Sequence, residues 1–210
     1  MKLVILSDSQ ENNEEPALIN FFFENGLDYY HLRKGSFTKK EMSNFLDRIS
    51  KKHYSKIVIH SHHELAIKYK LFGIHISRKK RKSKFNEWLK IKYFRFKNSK
   101  INISTSFSQL TNFEDTKSVY DYVFLSPIFD SISASGYGSH FNIKLVENML
   151  KKTPERVIAL GGINPSRIKQ VKDIGFYGAA ISGAIWESKT PRETFLEIRK
   201  KLEEELVVST

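Results

Sequence analysis

"VIALGGINPSRIKQVKDIGFYGAAISGAIW", residues 157–186, holds two short apolar runs, Val157 to Leu160 and Gly178 to Ser182, with one helical stretch between them. Runs this short and this apolar read as parallel strands covered on both faces. Between them Asn164 is placed to cap a helix, Pro165 to open its first turn and Gly175 to end it. Strand, helix and strand within about thirty residues make a βαβ unit. Each run also ends on small residues, Gly161 and Gly162 after the first, Ser182 and Gly183 after the second. Missing side chains let backbone N–H groups approach an anion, so both turns are candidate phosphate loops.

The same alternation repeats outward along the chain. Further strands are expected at Lys2 to Ser7, Tyr29 to Arg33, Lys56 to His60, Gly73 to Ser77, Lys100 to Ser104 and Tyr122 to Ser126, giving eight with the two above. A second helix has a clear start: Thr38 precedes "KKEMSNFLDRIS", and Glu41 lies three residues on, the pattern of a capping box. Eight strand–helix units in 210 residues favour an α/β fold, a single (β/α)8 TIM barrel forming one domain over 1–210, above an open doubly wound sheet. Two connections are long, Arg78 to Ser99 and Pro127 to Asn142. Long loops after strands are where barrels keep their function. In a barrel, moreover, the loops after strands seven and eight are the recurrent phosphate site, so the two glycine turns fall in register with that place.

Hydrophobic residues make up 40% of the chain and aromatics 13%, ample for a core. There is no cysteine, which excludes disulfides, thiolate metal sites and a cysteine nucleophile. Asp8 comes too early for a signal-peptide core, and no window approaches roughly eighteen apolar residues, so a cytoplasmic protein without a membrane partner is expected. The net charge of +12 suggests a nucleic-acid partner, but its distribution argues against one. Residues 78–100 hold 11 Lys and Arg against the single acid Glu87, a net +10 that leaves +2 elsewhere. Phe85, Trp88, Tyr93, Phe94 and Phe96 interleave with these charges. That composition fits a stacking surface, or a solvated loop and amphipathic helix followed by a strand.

"VIHSHHELA", residues 58–66, turns from apolar to titratable where a strand should end. In a barrel, strand ends converge on one mouth. His31, His60, His62 and His75 would then gather there, His60 and His62 on one face if the backbone stays extended. Such a pocket can hold a divalent metal, bind an anion as imidazolium or relay protons. The spacing in "HSHHE" is not that of a zinc protease, and no metal ligand is assigned.

Six segments together resemble the thiamine phosphate synthase and TenI family of small barrels. They are "HLRK" (His31 to Lys34), "HSHHELA" (His60 to Ala66), "GIHI" (Gly73 to Ile76), "DYVFLSPIFDSIS" (Asp121 to Ser133), "ALGGI" (Ala159 to Ile163) and "ISGAIW" (Ile181 to Trp186). The resemblance implies a transferase that joins hydroxymethylpyrimidine diphosphate to thiazole phosphate and releases diphosphate. The C–O bond to diphosphate breaks to leave a stabilised pyrimidine methyl cation, which the thiazole nitrogen captures. Catalysis of that kind rests on neutralising the leaving group and positioning the nucleophile. Arg33, Ser131 and Ser133 are implied to contact diphosphate or the thiazole end, and with His31 and His60 from the barrel mouth they make the candidate catalytic set. Gly162, Ser182 and Gly183 are implied to hold the thiazole phosphate, and Gly161, Lys34, His62 and His75 join them as candidate phosphate- or substrate-binding residues. Small phosphorylated partners follow, and a homo-oligomer is compatible with the sequence.

The chain also departs from the family. Mg2+ is the implied cofactor, yet the usual Asn-Asp pair after strand three is His60 and Ser61, and the acid after strand four falls in the basic run near Lys80. Hard oxygen ligands are therefore missing at both places. The lysine usual after strand six is Ala134, and the histidine of related thiazole tautomerases aligns with Thr105. Three readings stand: a synthase in which Arg33, Lys34 and the lysines of 79–84 meet the diphosphate charge; a barrel that binds thiazole phosphate or thiamine phosphate without synthase turnover; and a protein that binds anionic surfaces or nucleic acid through residues 78–100.

Overall fold

The computed structural model describes residues 1–77, 84–113, 119–129 and 141–207. Eight parallel strands, β1 (Lys2–Leu6), β2 (Tyr29–Leu32), β3 (Ile57–Ile59), β4 (Gly73–Ile76), β5 (Asn102–Phe107), β6 (Tyr122–Leu125), β7 (Val157–Leu160) and β8 (Gly178–Ile181), pair in chain order into a closed barrel. Closure is made by β8 on β1, with Leu3 opposite Ala179 and Val4 opposite Ala180. The surrounding helices are α1 (Glu15–Glu24), α2 (Lys39–Asp47), α3 (Glu64–Lys68), α4 (Lys84–Lys97), α5 (Ile143–Lys152), α6 (Ile168–Ile174), α7 (Gly183–Trp186) and α8 (Pro191–Val207). This is the (β/α)8 barrel the alternation predicts. Among the described residues the β5–β6 crossover carries only a 3-10 turn, Leu110–Phe113.

Strand parity sorts the side chains into two cores. Leu3, Ile5, Leu32, Ile57, Ile59, Ile74, Ile76, Val123, Val157 and Ile181 face the helices. Val4, Leu6, Tyr122, Phe124, Ile158 and Ala180 fill the barrel interior. The outer layer is sealed by helix side chains such as Phe22 of α1, fully buried and 4.7 Å from the ring of Phe195 of α8. Each such side chain contributes roughly 1.5–3 kcal/mol of burial.

Local signals behave as read. Thr38 and Glu41 form a reciprocal capping box at α2. Asn164 caps a 3-10 turn, Pro165–Arg167, that leads into α6, which ends at Gly175 in the left-handed conformation. The fifth strand is displaced from the expected Lys100–Ser104: an Asn98 turn accepting from the Lys100 N–H precedes it. Its polar "STSF" end stays extended because it is clamped between β4 and β6, Thr105 facing Val123 and Phe107 facing Leu125. Much of the long basic connection is helix α4, whose Ile91 and Phe94 are buried while Phe85, Trp88, Tyr93 and Phe96 remain exposed. Lys92 lies 4.0 Å above the Trp88 ring, so part of that charge rests on the helix's own aromatics.

Candidate functional site

The loops after β7 and β8 form a cleft of about 300 Å3 lined by Gly161, Gly162, Asn164, Ser182, Gly183 and Glu187 among others. Gly161 and Gly162 both have positive φ, 101° and 63°. A Cβ on Gly161 would lie 2.8 Å from Pro127 Cα, so the loop after β7 packs against the loop after β6 only because that side chain is missing. Across the cleft, Gly183 and Ala184 open α7, where the first N–H groups of a helix lack partners within it. The glycine and serine pairs are thus brought together on one cleft. Arg167 braces the glycine loop through a 2.6 Å hydrogen bond from its guanidinium to the Gly162 carbonyl. Glu187, which also lines the cleft, was not anticipated.

The histidines form a second feature in the barrel interior. His31 on β2 and His75 on β4 are buried, and His60 just past β3 is partly exposed. His31 Nδ1 lies 3.0 Å from His60 Nε2, and the His60 and His75 rings stack at 4.2 Å. His31 Nε2 is 2.7 Å from the hydroxyl of Tyr122 on β6. His75 reaches Ser104 through Nδ1 at 3.0 Å and Ser106 through Nε2 at 3.1 Å. Ser104 in turn bonds Tyr122. Burial raises the Tyr122 hydroxyl far above the usual phenol range, so it keeps its proton. Burial, and then the neighbouring His75, hold His31 well below the usual imidazole range. Burial likewise lowers His60, helped by His75, His31 and the Arg33 guanidinium. One set of proton positions satisfies the chain: His75 donates to Ser104, Ser104 to Tyr122, Tyr122 to His31 and His31 to His60.

Other expected residues go elsewhere. The backbone leaves the extended conformation after Ile59, and His62, at φ 50°, turns its Nε2 to the Phe37 carbonyl 2.8 Å away. The expectation that His62 shares a face with His60 is corrected, because period-two alternation holds only while the strand continues. Lys34 is corrected too. It is buried, its Nζ ion-paired with Glu15 Oε2 at 2.6 Å and donating to the carbonyls of Asp8 and Gln10 at 2.8 and 2.6 Å, which commits it to the fold and not to a substrate anion. Arg33 is exposed and close enough to His60 to lower its basicity. Ser131 and Ser133, like Lys80 and Ala134, lie outside the described residues. Thr105 is buried and donates to the Ile76 carbonyl at 2.7 Å, while its neighbours Ser104 and Ser106 turn to the histidines.

The family's Mg2+ asks for hard oxygen donors. At the position of its usual ligands stand the His60 ring and the Ser61 hydroxyl, the latter buried with no hydrogen-bond partner among the described residues. Among the described residues, the one group of three or more ionisable side chains spaced for a metal is His31, His60 and His75. Three imidazoles and a hydroxyl do not fit Mg2+.

A family model described as thiamine monophosphate synthase matches residues 3–185. A thiamine-phosphate synthase of Leptospira biflexa is 30% identical over 118 residues, 54% of this chain and 56% of that protein, so the alignment spans little more than half of the relative's length. One from Lactococcus lactis is 22% identical over 90% of this chain and 87% of that one. Among solved structures, a thiamine phosphate pyrophosphorylase from Bacteroides thetaiotaomicron superposes with a TM-score of 0.79 at 28% identity, covering 97% of this chain and 98% of that one. A 3-hexulose-6-phosphate synthase shares the fold alone, at 15% identity and TM-score 0.71 over 96% of this chain and 99% of its own. No described helix is long and apolar enough to cross a membrane. With a model spanning all eight strands and a nearly complete structural match, the chain belongs to the thiamine monophosphate synthase family.

Proposed function

We propose that this protein is a cytoplasmic transferase, one barrel domain that joins hydroxymethylpyrimidine diphosphate to thiazole phosphate and releases diphosphate. The observation that carries the reading is the cleft in which Gly161, Gly162, Ser182 and Gly183 meet. Backbone N–H groups there would hold the thiazole phosphate without a bulky side chain between. Arg33, exposed beside His60, would meet charge on the departing diphosphate as a fixed cation. Ser131 and Ser133 would contact diphosphate or the thiazole end, as in similar barrels. Holding the thiazole nitrogen in line with the methylene carbon supplies the entropic part of catalysis.

The missing hard-oxygen donor set favours one other reading, a barrel that binds thiazole phosphate or thiamine phosphate without joining the two halves. An end-point assay for thiamine phosphate, with both phosphorylated halves supplied and each divalent ion added in turn, separates the two. Product formation supports the transferase. No product under any ion, with thiazole phosphate still bound in calorimetry, selects the binding protein; loss of both rejects the site.

A further inference from the structure

We propose that His31, His60 and His75 form a site for one borderline divalent cation of the zinc class, with the fourth coordination position open toward the barrel mouth. This does not rest on the reading of the reaction given above. The three side chains come from β2, the residue just past β3, and β4, and one ring nitrogen of each lies within 4.8 Å of the others. Tetrahedral zinc bonds nitrogen at about 2.0–2.1 Å, which spaces its donors roughly 3.4 Å apart. The His31–His60 pair at 3.0 Å is already close to that spacing. The His60 and His75 rings, stacked at 4.2 Å, must tilt out of parallel to aim their nitrogens at one ion.

The surroundings are those that hold metal-bound imidazoles. Such rings donate their remaining N–H to a fixed acceptor, which sets the tautomer and the ring plane. Here the Tyr122 hydroxyl stands at His31 Nε2, and Ser104 and Ser106 stand at the two nitrogens of His75. When His31 turns its Nδ1 lone pair to a metal, its proton moves to Nε2 and is donated to the Tyr122 oxygen, and the Tyr122 hydroxyl proton turns from His31 to Ser104. His75 binds through one nitrogen and keeps the hydroxyl at the other. Neutral imidazole prefers zinc, cobalt, nickel and copper to magnesium, so the donor set selects against the ion that hard-oxygen sites hold. Three histidines with a fourth position left to water or an anionic oxygen is the coordination of an open zinc site, not a closed structural one. His60, alone of the three in being partly exposed, marks the side from which that fourth ligand enters.

Co2+ titration of the chelator-stripped full chain tests this, because four-coordinate Co2+ absorbs strongly in the visible and six-coordinate Co2+ does not. The expected result is one equivalent of intensely coloured Co2+ per chain, displaced by Zn2+ and untouched by excess Mg2+. His60→Asn, at the partly exposed corner, should weaken binding at least 100-fold, and Tyr122→Phe about 10–100-fold through the misheld His31 ring. His62→Gln, outside the trio, should bind as the parent does, with circular dichroism confirming that all variants fold. Weak, six-coordinate or Mg2+-displaceable binding overturns the proposal, as does a coloured complex that survives His60→Asn.

Discussion

Replacing Lys34 with Met tests whether this lysine holds the fold or a substrate. Its ammonium and the Glu15 carboxylate are both buried, at 3% and 0% side-chain exposure, 2.6 Å apart, and the Tyr30 hydroxyl also donates to Glu15. Removing one member of a buried pair leaves an uncompensated charge and costs about 3–5 kcal/mol. The pH dependence identifies the mechanism. Burial already raises the Glu15 carboxyl above the usual range, against the lowering effect of Lys34 and Tyr30. Without Lys34 it rises further. A carboxyl raised in the folded state holds a proton that the unfolded chain has released, so stability falls as pH increases from the unfolded value of about 4.3 toward the folded one. Urea denaturation should therefore show Lys34→Met losing more at pH 8 than at pH 5.5. Adding Glu15→Gln should recover most of the loss at pH 8, leaving about 1–3 kcal/mol for the Asp8 carbonyl that Lys34 no longer reaches. A Lys34→Met protein of parental stability at both pH values, but with weakened phosphate-ligand affinity, would refute the structural role and return Lys34 to the substrate.

Two further outcomes concern the histidine network and the loop after β7. His31 and His60 are held neutral by burial, with folded values below the unfolded value of about 6.5. Their stabilising contribution is present above that pH and is lost as pH falls through the window beneath it, by up to roughly 1.4 kcal/mol per pH unit for each histidine. Denaturation midpoints in chelator should fall between pH 7 and pH 5.5, and the His31→Asn, His60→Asn double variant should flatten the slope; an unchanged slope would mean that other groups set it. Gly161→Ala forces an alanine to φ 101° with its Cβ 2.8 Å from Pro127 Cα, a strain of about 1–3 kcal/mol or a shifted loop. Thiazole-phosphate affinity should drop at least tenfold by calorimetry, and parental affinity would remove the loop after β7 from the phosphate cleft.

The fold was legible because its signals are local. Short apolar runs, the Thr38–Glu41 box and the Asn164–Pro165 start each need only a few neighbouring residues, and closure of the barrel keeps them in order. The cleft after β7 and β8 was legible for the same reason, its glycine and serine turns falling directly after those strands. What escaped depends on distant partners. Tyr122 meets His31 across 91 positions of sequence, and only a closed barrel brings β6 opposite β2. Ser104 and Ser106 carried a usable signal, two hydroxyls at period-two spacing on a strand whose apolar residues, Ile103 and Phe107, take the other face with Thr105. Lys34 was misread because a lysine at a strand end is usually solvated, and nothing near it in sequence announces that Glu15 lies buried beneath it.

The imidazole network also bears on whether the barrel is kept for chemistry or only for its fold. Val4, Ile158 and Ala180 show how the interior is filled where packing alone decides. His31, Tyr122, Ser104 and His75 occupy the same enclosed space with polar atoms that must all be partnered. Each satisfied hydrogen bond returns only about 0.5–1.5 kcal/mol, whereas an unsatisfied buried group costs about 1–3 kcal/mol. Apolar replacements of matched volume in such places are often neutral or stabilising. A barrel selected for stability alone gains nothing from this arrangement and is exposed to every substitution that breaks it. The network is therefore a part of the interior that packing of the barrel does not require.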